Sequence, residues 1–454
     1  MSVIRPKPPV DPLHYDPAGL EAAAGLPAAG LDRWAEPLVR VRDAVLASPG
    51  PGLPERLLID YTTAGDGTAA SGRAASELFA ILRTARRVRE AVDRVIVVGG
   101  GAAAARAVVD ACCHPCHSEL SRGERGGRPR LSFAPPLVDN DALQALLDLV
   151  APAGAARSDD LLDQWGIVAL DGSDADGSDA DGGDADGGTP VGGDADGIDA
   201  SGPDTIDAAC LRVLLATLAA AGGGATPRAA AHAGRFAAVA AAGGPLARQC
   251  AAMGCPPDFA VPAGAGGFAA LAAAGILPAA IAGVDVVRLL AGGRAMHRRF
   301  AEAPAADNPV LRFVAAARMA EERLAMTAGG LAAWSPQLAA VCGWYDTVRP
   351  RPRHAAATFR TALLAGEPRR DAVRVPASAS HPEPAAMPWP GRHARSVAAA
   401  RASAVADAAT PATILLPRID EHAVGQLFMM LLLAARVAAA TAGSAASAGP
   451  GPRV

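Results

Sequence analysis

Apolar residues along the chain form short uninterrupted runs, separated by stretches in which they recur every three or four positions. "VIVV" (95–98), "RLSF" (130–133), "WGIVAL" (165–170), "RFAAVA" (235–240) and "DFAVP" (258–262) are of the first kind and predict strands. Helical spacing fills the intervals: Ala74 to about Val92, about Ala103 to Ala111, and "DNDALQALLDLVA", whose leading Asp and Asn suit a helix start. Strands alternating with helices predict an α/β fold with a mostly parallel sheet covered on both faces.

The second half repeats the pattern less regularly. Helical spacing fills 268–340, with "NPVLRFVAAARMAEERLAM" its best-defined part; "ATILLP" (412–417) predicts a strand, and a helix starts near Asp420. The run "LFMMLLLAARVAAA" from Leu427 is interrupted by Arg436 and reads as a buried helix, too short to span a bilayer. Residues 1–60 mix Pro and Gly with an amphipathic segment at "LDRWAEPLVRVRDAVL" and read as a wrapping segment. The expected organisation is a wrap over 1–60, an α/β subdomain over 61–262 and a second over 263–454 that closes with a helix.

Composition adds limits. The 454 residues are 51% hydrophobic and 19% charged with a net charge of -4, which suits a large folded core and gives no general attraction to nucleic acid or anionic membrane. The start "MSVIRPKPPVDPLHYD" has no apolar run of a secretory kind, and the seven cysteines follow no framework spacing, so a cytoplasmic location is expected. Residues 171–204 repeat Asp-Ala-Asp-Gly with a five-residue period and read as a disordered, solvated acidic insertion. Calcium binding there is disfavoured, because no Glu closes the cluster and no EF-hand register appears.

Candidate chemistry centres on "DRVIVVGGGAAAARAVVDAC" (93–112), a strand, three glycines and a helix start. Backbone amides at such a turn, aligned with the helix dipole, can hold an anion. The turn also satisfies Gly-x-Gly-x-x-Ala through Gly99, Gly101 and Ala104, but the next strand ends in "SFAPPL" without the acid a dinucleotide ribose wants. "CCHPCH" (112–117) packs its ligands too closely to face one tetrahedral zinc, and "RGERGGRPR" (122–130) reads as a solvated loop. No metal and no cofactor is expected.

Several segments in order resemble the glucose-6-phosphate isomerase family, over about residues 90–445. The glycine turn occupies the place of that family's Gly-Ile-Gly-Gly-Ser loop, followed by "HSELSRGERGGRPRLSF" and "VDNDALQALLDL". "GAGGFAALAAAGILPAAIAGVDV" is similar to its Gly-Gly-Arg-Phe-Ser segment and Gly-Leu-Leu-Pro helix. "NPVLRFVAAARMAEERL", "GWYD" (343–346), "GEPRRD" (366–371) and "LPRIDEHAVGQLFMMLLLA" complete the series.

The resemblance implies two sugar-isomerase-type αβα subdomains of three layers, a homodimer, and an active site in the cleft between subdomains. It implies aldose–ketose isomerisation of glucose 6-phosphate to fructose 6-phosphate, a step of glycolysis and gluconeogenesis, through a cis-enediol. Glu367 matches the family's catalytic carboxylate, and Gly99, Gly100 and Gly101 its first phosphate loop. Ser173 and Thr205 remain as hydroxyl donors to the phosphate.

Other positions depart from the family. Its arginine falls on Gly267 and its serine on Ala269, while Phe268 is kept; the serine closing the first loop falls on Gly101. Its Ser-Lys-Ser-Gly reads Asp171, Gly172, Ser173, Asp174, which adds carboxylates where a phosphate would sit. No histidine lies between His393 and His422, and no lysine occurs beyond Lys7, so the ring-opening groups have no counterpart. The expectation is an isomerase scaffold with activity reduced or lost, or a non-catalytic sugar-phosphate-binding or scaffold protein.

Overall fold

In the computed structural model the described residues are 12–27, 30–48, 76–113, 117, 128–134, 140–150, 164–171, 206–221, 226–261, 266–350, 357–367, 396, 398–399 and 411–447. The chain divides into two compact units: Ile81–Ala105 with Cys116–Ala282, and Met1–Ala80 with Arg106–Pro115 and Gly283–Val454. The division after Ala282 differs from the boundary at 262 read from the sequence. The amino-terminal segment belongs to the same unit as the carboxyl-terminal half.

The unit built around Ile81–Ala282 holds an all-parallel five-stranded sheet. Its strands are β2 (Arg94–Val98), β3 (Arg130–Phe133), β4 (Trp165–Leu170), β5 (Phe236–Ala241) and β6 (Phe259–Val261), in the spatial order β3-β2-β4-β5-β6. Every residue of β4 and β5 is buried, as expected of central parallel strands covered on both faces. Alternate residues Ile96 and Val98, Trp165 and Ile167, and Phe236 and Ala238 point to one face. Against them lies a helix over Ile206–Ala221, whose Leu211, Leu214, Leu215 and Leu218 recur at helical spacing. Each such leucine contributes about 1.5–3 kcal/mol through burial.

The other unit holds a four-stranded sheet of, in spatial order, β1 (His14–Asp16), β9 (Ala412–Arg418), β8 (Ala357–Glu367) and β7 (Met326–Ala333). β7, β8 and β9 run parallel, and β1 adds antiparallel to β9. The strand β7 departs from the sequence reading. Residues 326–333 lie inside the predicted helical stretch, yet the preceding helix stops at Ala325, whose φ of 51° is left-handed, and Met326 begins pairing with Ala357. Gly329 and Gly330 each cost a helix about 1 kcal/mol relative to alanine, and pairing with β8, in two stretches either side of a register shift between Ala328 and Leu331, draws the segment into the sheet.

The long helix over Glu421–Ser447 forms the core of this unit, with residues 423–435 buried. Its stretch Glu421–Thr441 is long and apolar enough to cross a membrane by length and composition, longer than the sequence reading allowed, and its apolar window is 78% buried inside the fold. It crosses the helix over Val286–Glu302 at two glycines: a Cβ on Gly292 would lie 1.9 Å from the His422 carbonyl, and one on Gly425 equally close to that of Leu289. The amino-terminal segment is tied down here. Leu13 N–H donates to Gln426 Oε1 (3.2 Å), Arg299 donates to the Leu13 carbonyl (2.7 Å), and the Tyr15 and Phe313 rings meet edge to face at 5.4 Å.

Candidate functional site

In chain order the five-stranded sheet reads second, first, third, fourth, fifth, so growth reverses direction between β2 and β4. Loops leaving the carboxyl ends of two such strands diverge, and ligands of open α/β sheets bind in the crevice so formed. The glycine turn 99–101 leaves β2 at this point, and Asp171 leaves β4 beside it.

Close backbone approach explains why glycine occupies the turn. Gly99 has φ 98°, and a Cβ there would lie 2.2 Å from the Leu170 carbonyl oxygen. A Cβ on Gly101 would lie 2.9 Å from Leu170 Cβ and 3.0 Å from the Asp171 carbonyl oxygen. Gly101 N–H donates to the Leu170 carbonyl (3.4 Å) and Ala102 N–H to that of Gly99 (2.9 Å), while Gly100 is exposed. Two of the amides expected to meet an anion therefore already have partners inside the protein.

Asp171 has a structural task. Its N–H donates to the Val239 carbonyl (2.8 Å), and its Oδ2 accepts from Ala241 N–H (3.1 Å), so one residue joins the carboxyl ends of β4 and β5. The sequence reading of Asp171 as a misplaced charge missed this contact, which links residues 70 positions apart. Ser173, Thr205 and the acidic repeat lie outside the described residues. Ala269 is 1% exposed in a 3-10 turn over Gly266–Leu271, so packing alone accounts for a methyl group where the family has serine.

Glu367 belongs to the other unit. It ends β8, is exposed, and is the register partner of Arg418 on β9. Partners on neighbouring parallel strands share one face of the sheet. Arg418 donates to Asp420 Oδ2 (3.1 Å), Arg288 donates to the same oxygen (2.7 Å), and Asp420 Oδ1 accepts from Ala423 N–H (2.9 Å) at the start of the long helix. A buried carboxylate thus holds two guanidiniums, and the trio carries one surplus positive charge beside Glu367.

His422 extends the network. Gln426 accepts from Leu13 N–H through Oε1, so its Nε2 donates to His422 Nδ1 (3.1 Å) and fixes the imidazole as neutral with its proton on Nε2. Burial pushes His422 below the ordinary imidazole range; Asp420 opposes that shift and Arg288 reinforces it. The sequence reading overlooked Arg288, Arg418 and Asp420. "LPRID" held a signal for two of them, charged residues at a strand end, but nothing in the sequence points to Arg288, 132 positions from Asp420.

Cys112 and Cys113 are buried at the end of the helix over Ala102–Cys112, and His114 to Cys116 lie outside the described residues. Among the described residues no group of three or more His, Cys, Asp or Glu side chains is placed to hold a metal ion.

The architecture is a mixed α/β fold with mostly parallel sheets, similar to a sugar isomerase fold. No protein-family model matches the chain, and no curated protein sequence matches it. Among solved structures it is similar to a hypothetical protein from Thermus thermophilus, with a TM-score of 0.65 and 18% identity over 94% of each chain. It is also similar to a glucose-6-phosphate isomerase from Chlamydia trachomatis, with a TM-score of 0.58 and 13% identity over 95% of this chain and 84% of that one. Likeness at these identities establishes the fold.

Proposed function

We propose that this chain binds a hexose phosphate and isomerises it between aldose and ketose forms, glucose 6-phosphate to fructose 6-phosphate, with turnover far below that of an ordinary enzyme. The observation that carries this reading is the Gly99–Gly101 turn at the strand-order reversal of a sheet whose fold is similar to that of a glucose-6-phosphate isomerase. Exposed Gly100 and the helix that follows supply a place for the phosphate, with Ser173 and Thr205 as hydroxyl donors. Glu367 is the base, and no cofactor is called for. The reading extends to a cytoplasmic homodimer.

In the reaction the Glu367 carboxylate takes the C2 proton of the open-chain aldose. The C2–H electron pair becomes the C1–C2 double bond, and the carbonyl pair moves onto O1. The O2 proton passes to O1, the carbonyl re-forms at C2, and Glu367 returns its proton to C1. A positioned base supplies about 10²- to 10⁴-fold of rate, and each oriented partner of the developing charge about 10²- to 10³-fold. A phosphate site with fewer donors lowers the first contribution as well, because it positions the sugar less well.

One observation favours the scaffold form of the second reading, a non-catalytic sugar-phosphate-binding or scaffold protein: Gly101 and Ala102 spend their amides inside the fold, and Asp171 places a carboxylate at the end of β4, both of which weaken a phosphate site. A coupled assay for fructose 6-phosphate, run beside calorimetry with glucose 6-phosphate, separates the two. Slow turnover that Glu367→Gln abolishes supports the isomerase. Absence of turnover supports the second reading, as a sugar-phosphate-binding protein where glucose 6-phosphate binds and as a scaffold where it does not, and turnover at an ordinary enzyme's speed overturns both.

A further inference from the structure

We propose that Arg418 supplies the positive charge that faces Glu367 and holds the enediolate formed when that carboxylate takes its proton. This rests on the isomerase reading above and names a residue that reading did not require. Proton transfer neutralises Glu367 and moves its negative charge onto the enediolate oxygens, so the step is helped by a cation on the same face as the base, placed to meet the charge where it develops. Gly267, which stands where the resemblance would put an arginine, has no side chain to offer.

Geometry points to Arg418 on three counts. Arg418 and Glu367 are paired in register at the carboxyl ends of adjacent parallel strands. The surrounding charges leave a surplus: Asp420 is one carboxylate between two guanidiniums. The two arginines also differ in setting. Arg288 makes the shorter bond to Asp420 and its side chain is 20% exposed, whereas that of Arg418 is 37% exposed. Among the described residues, the one hydrogen bond of the Arg418 side chain runs to Asp420, and a guanidinium has five N–H donors. Arg288 neutralises Asp420, and Arg418, anchored by one donor, keeps the others for a ligand oxygen.

Asp420 keeps Arg288 and the Ala423 amide when Arg418 is truncated, so Arg418→Ala should fold, as a thermal melt will report; Arg418→Lys is a second variant that retains the charge. The test measures affinity by calorimetry for two probes: glucose 6-phosphate, and a five-carbon aldonate 5-phosphate whose carboxylate carries the charge of the enediolate. Arg418→Ala should weaken aldonate binding about tenfold or more, glucose 6-phosphate binding by less than about threefold, and Arg418→Lys should recover part of the loss. Equal losses for the two probes, or no loss for either, would overturn the assignment while leaving the isomerase reading standing. Wild-type protein that binds neither probe overturns both.

Discussion

The two sheets of this protein are assembled in opposite ways. The five-stranded sheet takes its strands from residues 94–261, every pair parallel, with helices between successive strands. The four-stranded sheet pairs His14 with Leu415 and Thr361 with Ala412, so its ladder joins segments hundreds of residues apart in one case and dozens in the other. The first is specified by local pattern, the second by a core helix on which distant segments converge. The candidate chemistry divides the same way: a turn fixed by close backbone contact in one unit, a carboxylate and guanidinium aligned by long-range register in the other.

The helix crossing is the place to break the second sheet's support. Gly292→Val would drive a side chain into the His422 carbonyl from a starting distance of 1.9 Å, and should cost more than about 3 kcal/mol or prevent folding. Far-UV circular dichroism through a thermal melt checks this. In the other unit Gly99→Ala meets both a left-handed φ and the Leu170 carbonyl at 2.2 Å, and should cost about 2–3 kcal/mol with loss of hexose phosphate binding. A variant that melts like the wild type and binds normally would show that the turn is not held as described.

Asp420→Ala strips the shared partner from Arg288 and Arg418 and removes the cap on Ala423, so a loss of about 2 kcal/mol is expected, measured by urea denaturation. A smaller effect comes from His422. Because its folded form binds a proton less readily than the unfolded chain, stability is unaffected above the ordinary imidazole value of about 6.5 and falls as pH drops below it. Melting curves at pH 8 and pH 5 should differ less in His422→Gln than in the wild type. The smallest effect is a contrast in thiols. Burial pushes Cys250 up to about 12 and Cys342 up to about 11, so neither should react with iodoacetamide at about pH 7.5 in the folded protein, and both should react in urea. Peptide mass mapping reads the difference.

The legibility of each part follows from the distance its contacts span. Val95 to Val98, Trp165 to Leu170 and the glycine turn between strand and helix were readable because their signals are contiguous: an apolar run, a φ that glycine favours, a helix with its own periodicity. β1, β7 and β8 were not. Their alternation is weak, "MTAGGLAA" mixes helix-favouring alanines with two glycines that suit neither state, and what makes it a strand is a partner beginning at Ala357. Glu367 is singled out only through the motif around it, and nothing in the sequence pairs it with Arg418, since register between β8 and β9 is unwritten in either segment.

Sequence by itself determined that this chain folds as alternating strands and helices and that a glycine turn follows a buried strand, because backbone conformation and apolar periodicity act over a few residues. Only the tertiary structure decided that Asp171 joins two strand ends, that Asp420 gathers two arginines, and that Arg418 stands beside Glu367. Hydrogen bonds and ion pairs are made between whichever groups the packed core brings within about 3 Å, and that selection is a property of the whole fold.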